Sequence, residues 1–348
     1  MQSLLPGERL YVNHQRILFA TNRLIVAPPS FTKRGVSLAI DEVFSTSRSP
    51  SLAYGWADVG YPDNRNLADQ NYYSWPNGPN SFRYFSIERY GFVASRDAAR
   101  YLGQDQRFPD GERALIYVHG INESFRDGAE GLAQLVVDLE VKGVPLLFSW
   151  PADRTPVTVS TAADDAYRAT LEMAQSSEPA LRQSIDDFLS SDGDHFDLVA
   201  HSMGTLLALD VLAQRSPVVN QASQYDPAPN VVLAAPDIGV KYFSKVRERF
   251  VRKSRRLTIY CGLDRALMLS YWVNHEERLG FCGTPKQPKD YIEGVEFIRV
   301  LGNYRDVFSH SYYRNTPEIL SDMKRALFGR ALDDMQRVPY REIFLNYR

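Results

Sequence analysis

The chain has 348 residues, 44% of them hydrophobic, which is enough to bury a large core in one domain or two. Its 40 Lys and Arg against 42 Asp and Glu leave a net charge of -2, which supplies no general attraction for nucleic acid. No apolar run reaches the roughly 18 residues of a membrane-spanning helix. The opening MQSLLPGERLYVNHQR carries no apolar signal core, and two cysteines, Cys261 and Cys282, are too few for a disulfide framework or a zinc cluster. The expectation is a cytoplasmic protein, unless a leader has been removed, with reduced structural thiols.

Along the chain, residues 1–112 form an irregular first segment. RILFAT, SLAYGWADVGY and RYFSIERYGFV read as strands at the antiparallel edge of a sheet, and Tyr61 to Ser81 reads as a long surface loop. Residues 113–348 alternate short apolar runs with helical patterns, the signature of a mostly parallel sheet flanked by helices. ALIYVHG, PLLFSWP, FDLVAHS, NVVLAAPD, LTIYCGLD and FIRVLG are the expected strands, each ending in polar or turn residues. Helical spacing spans Ala129 to Val141, Ala162 to Leu189, Gly204 to Gln214 and Val240 to Val251, and NTPEILSDMKRALF predicts a helix that closes the fold. The basic run from Lys241 to Arg256 has amphipathic spacing and reads as a solvated outer face, with an anionic surface as the alternative. The two segments together read as one structural domain.

The chemistry begins at AHSMG, Ala200 to Gly204, which lies between an apolar strand and a helical run. A sharp strand-turn-helix lifts a serine hydroxyl clear of the sheet, so this context marks Ser202 as a nucleophile, with Ala200 standing where glycine is usual. His119-Gly120-Ile121-Asn122 ends an earlier strand, and the backbone N–H groups of Ile121 and Met203 are the expected oxyanion donors. A serine nucleophile needs a base. Of six histidines, His310 follows the last strand, whereas His14, His119, His195, His201 and His275 fall in a terminus, turns, a strand start or a helical pattern. The acid should end a strand between serine and histidine. Asp264 is favoured by position, Asp237 is the alternative, and Asp226 and Asp306 are weaker competitors. Asn122, Trp150 and Tyr312, with Tyr313, stand near strand ends where they would contact substrate.

FATNR at Phe19 to Arg23, SLAYGWADVGYP, YVHGINESF, FSWPAD, AHSMGT, LAAPDI, DRALMLS from Asp264, ERLGF and HSYY from His310 resemble a family of bacterial α/β-hydrolases of unknown function that carry a serine-hydrolase triad. The resemblance covers most of the chain. It implies an α/β-hydrolase fold with no large cap domain and a triad of Ser202, Asp264 and His310 in a small esterase. That activity needs no cofactor and no metal, and its partner is a small-molecule carboxylic ester, short-chain or aryl. A thioesterase or amidase would use the same groups, and a binding module could keep the fold without turnover.

Overall fold

The computed structural model describes residues 13–26, 40–63, 85–93, 113–152, 161–190, 195–214, 228–282, 294–302, 310–329 and 340–344. Most of the expected loop from Tyr61 to Ser81, and both Asp226 and Asp306, lie outside them.

The described strands are β1 (Asn13–Ile25), β2 (Phe44–Tyr61), β3 (Ser86–Val93), β4 (Ala114–Val118), β5 (Pro145–Ser149), β6 (Phe196–His201), β7 (Asn230–Ala234), β8 (Arg256–Gly262), β9 (Val295–Leu301) and β10 (Tyr340–Phe344). They join one ten-stranded sheet in the order β10-β9-β8-β7-β6-β4-β5-β1-β2-β3. Every pairing from β10 to β1 is parallel, and only β1–β2 and β2–β3 are antiparallel. Strand order turns back at β4, and in open sheets of this kind the carboxyl ends of the strands at such a point are where ligands bind.

The helices are α1 (Ile40–Val43), α2 (Phe125–Leu139), α3 (Thr161–Ser190), α4 (Gly204–Gln214), α5 (Val240–Val251), α6 (Arg265–Asn274), α7 (Tyr312–Asn315) and α8 (Pro317–Phe328). Central strands alternate between two apolar layers, as a period of two requires. Ala114, Ile116 and Val118 of β4 pack with residues of α3, α4 and α5, while Leu115 and Tyr117 pack with those of α2 and α8. In α5, Phe243 and Phe250 face the core and Lys241, Lys245 and Arg249 are exposed, so most of its charge is solvated. Among the described residues no helix is long and apolar enough to cross a membrane.

Three expectations are corrected. Cys261 and Cys282 form a disulfide, with Cα atoms 5.5 Å apart. The chain turns back after α6 and runs beside the end of β8, where Cys282 N–H donates to Gly262 O, a return that a count of cysteines does not reveal. α2 starts at Phe125 rather than Ala129, because Ser124 and Asp127 close a capping box. The helix α8 does not close the fold either. β10 follows it and pairs with β9, held by charges rather than apolar alternation: Arg341 bonds Asp322, and Arg299 pairs with Glu342.

Candidate active site

Ile121, Asn122, Trp150, Ser202, Met203, Asp237 and Asp264 lie just beyond the carboxyl ends of parallel strands, and His310 stands immediately before α7, which carries Tyr312 and Tyr313. Ser202 stands between β6 and α4 with φ of 52°. A left-handed conformation costs a residue other than glycine roughly 1–2 kcal/mol, so the surroundings must enforce it. They do so from both sides. Ser202 N–H donates to Ala234 O at 3.0 Å, and Ser202 O accepts from Thr205 N–H, the Thr205 hydroxyl and Asp237 N–H. Two glycines make room. A Cβ on Gly204 would lie 2.2 Å from His119 O, and one on Gly120 would lie 2.8 Å from Ser202 Cβ. Ala200, at the third small position, is fully buried. Among the described residues, no backbone carbonyl accepts from the N–H of Met203 or Ile121.

Asp264 precedes α6 and is fully buried. One carboxylate oxygen caps the helix by accepting from Leu267 N–H at 3.0 Å, and the other meets His310 Nδ1 at 2.6 Å. The cap fixes the carboxylate, and the carboxylate orients the ring. The ring of His201, the residue before Ser202, lies 4.7 Å from that of His310, which places His310 beside the serine turn. Asp237 is engaged elsewhere, accepting from Arg278 Nε and Ser270 Oγ at 2.6 Å each and from Tyr167 hydroxyl at 2.8 Å.

His119 is no competitor as a base. Burial, reinforced by the Arg23 charge, pushes it down to about 4, which keeps the ring neutral. Trp150 and Tyr312 are buried in the two apolar layers. Trp150 stacks on His119 and donates to its carbonyl at 2.8 Å; the Tyr312 hydroxyl donates to Tyr260 O at 3.0 Å. Tyr313 is likewise fully buried, paired with Tyr117 through their hydroxyls. Asn122, at φ of 61°, remains partly exposed at the turn after β4.

Sequence reasoning missed a buried polar layer beneath these groups. Register shifts flank Arg23 in the β1–β2 ladder, and the bulge re-aims its side chain inward, where it donates to Ser149 Oγ and Glu123 O. Glu123 in turn accepts from His201 Nδ1 at 2.9 Å. Burial alone would raise the Glu123 carboxyl, but the His201 bond and charge, with Arg314 beyond, outweigh it and hold the group well below the usual carboxylate range. The signal available in sequence is a lone acid in the apolar-flanked loop GINESF, which by itself reads as solvent-exposed.

A mostly parallel open sheet with a strained serine at a strand-to-helix turn defines the α/β-hydrolase class. The chain belongs to the family described as alpha/beta hydrolase of unknown function (DUF900), whose model matches residues 95–330. Among curated proteins none matches. Several solved structures are similar at low identity. An uncharacterised protein of Bacillus cereus is 15% identical, with 64% of this chain covering 63% of that one at a TM-score of 0.35. A Pyrococcus furiosus esterase is 16% identical over 62% of this chain and 81% of that one at 0.34, and Thermogutta terrifontis esterase 2 is 14% identical over 64% and 82% at 0.30.

Proposed function

We propose that the chain is a carboxylesterase acting on short-chain or aryl esters. The observation that carries the reading is the 2.6 Å contact between Asp264 and His310, set beside a serine held at φ of 52°. Ser202 Oγ attacks the ester carbonyl carbon as His310 Nε2 takes its proton, and Asp264 stabilises the imidazolium. The carbonyl oxygen becomes an oxyanion and accepts from the N–H groups of Ile121 and Met203. Collapse breaks the bond to the alcohol oxygen, which leaves with the proton from His310. Water then attacks the acyl-enzyme by the same route and releases the carboxylic acid and Ser202.

The test is hydrolysis of p-nitrophenyl esters from acetate to palmitate by the unmodified protein and by Ser202→Ala. Removing a nucleophilic serine is expected to lower kcat by about 10⁴- to 10⁶-fold. Equal hydrolysis by both proteins would sink the assignment of Ser202. Turnover of thioesters or amides in place of every ester would keep the mechanism and change the substrate class.

A further inference from the structure

We propose that Glu123 and His201 form a positioning pair for His310, and that the pair holds one proton more than a carboxylate and a neutral imidazole together carry. The inference rests on the reading of His310 as the base. Its evidence is a count of donors. His201 Nδ1 faces Glu123 Oε1 at 2.9 Å and His201 Nε2 faces His310 O at 3.2 Å. Both partners are oxygen acceptors, and a carbonyl oxygen cannot donate. A neutral imidazole has a single N–H, so it satisfies only one of the two contacts. The second requires another proton, on His201 or on Glu123. On either group the count is the same: an imidazolium donates from both nitrogens, and a protonated Glu123 donates to Nδ1 and leaves the ring N–H on Nε2.

The pair is shielded and close to the chemistry. Side-chain exposure is 4% for His201 and 11% for Glu123, and the His201 ring lies 4.6 Å from that of Tyr313. Titratable and charged groups surround it: Glu123 and His119 beyond the end of β4, Tyr117 within β4, Arg314 and Tyr313 from α7, and His310 itself. Burial is the largest influence on His201 and outweighs the Glu123 bond and charge, so the proton affinity of the ring lies below that of a free imidazole. With its extra proton the pair is neutral, so it adds no net charge beside the imidazolium that His310 becomes. While the proton stays, the His310 backbone is tied to the residue before the nucleophile. When rising pH removes it, the Nε2 lone pair faces the carbonyl oxygen and the tie is lost. The pair therefore imposes an alkaline limit on turnover that is separate from ionisation of His310.

Two substitutions and one spectrum test this. His201→Phe keeps a ring in the packed place and removes both ring nitrogens. It is expected to lower kcat about 10- to 100-fold with KM within about twofold, the scale of a misplaced catalytic group. In Glu123→Gln the amide can donate to Nδ1, which lets a neutral His201 donate from Nε2. This variant is expected to recover most of the loss seen in His201→Phe and to lack the alkaline fall of the unmodified protein. Spectra of protein labelled with ¹⁵N in its histidine rings, assigned by the signal missing from His201→Phe, are expected to show Nε2 of His201 protonated at the pH of maximal turnover and to lose that proton along the alkaline fall. An unprotonated Nε2 there, or an unchanged kcat in a folded His201→Phe, overturns the proposal. Failure of the hydrolase reading looks different: the unmodified protein would turn over no acyl substrate and take up no fluorophosphonate at Ser202, while the spectra would still decide the proton count.

Discussion

Asp264 and Asp237 end neighbouring strands of the same sheet, yet one meets a histidine and the other an arginine. The difference separates their variants. Asp264→Asn is expected to lower kcat by about 10³- to 10⁴-fold with little change in melting temperature, because the amide misdirects the ring of His310. Asp237→Asn leaves Arg278 buried without its charge partner and is expected to destabilise the fold by about 3–5 kcal/mol, with turnover retained by the folded fraction. Comparing kcat and chemical denaturation for the two variants distinguishes the roles. His119 gives a pH signature of its own. Its folded value of about 4 lies below the usual 6.5, so its contribution is present above 6.5 and is lost as pH falls from 6.5 to 4. A difference of that size corresponds to about 3 kcal/mol of stability. Denaturation midpoints measured across that window are expected to fall less in His119→Gln than in the unmodified protein. The contact between Asp264 and His310 is legible in the sequence because each residue closes or follows an apolar strand. Glu123, Arg23 and Arg314 are not, because burial of a charge depends on partners far away in the chain.

At the scale of elements, the turn between β6 and α4 rests on a helix running close against β4. Gly204→Ala would drive a Cβ against His119 O, so α4 must withdraw. Overpacking of this kind costs typically about 1–3 kcal/mol. Because the helix start also carries Met203 N–H, kcat is expected to fall along with the melting temperature, which activity assays on the folded variant would show. The six strands from β4 to β9 are legible because strands buried on both faces are almost continuously apolar. The start of α2 is set by a capping box that apolar spacing does not record, and β10 is a short edge strand whose Arg341 and Glu342 serve ion pairs, so its period of two is hidden.

Across the molecule, the segment from Glu277 to Cys282 stitches the ends of β7 and β8 together. Val240 N–H donates to Glu277 O, Leu279 N–H to Ile238 O, Gly280 N–H to Pro236 O and Cys282 N–H to Gly262 O, and the disulfide locks the far end. Closing a loop of 21 residues is worth about 3 kcal/mol in the chain-entropy account. Melting temperature is therefore expected to drop on reduction, and the double variant Cys261→Ser, Cys282→Ser to be insensitive to reductant. A melting curve indifferent to reductant in the unmodified protein would contradict the pairing.

The place of β1 has a consequence for how the protein is made. β1 to β3 lie within the first 93 residues and pair with one another, yet the parallel partner of β1 is β5, with Leu18 set against Leu146. During synthesis the meander leaves the ribosome with the β5-facing edge of β1 open, and the residues that cover it follow only after seconds of further translation. That edge carries Leu18, Phe19 and Ala20, all buried in the finished molecule. Until β5 arrives, the nascent chain offers an apolar strand edge to any neighbouring chain, which makes the order of synthesis, as much as final stability, a determinant of yield.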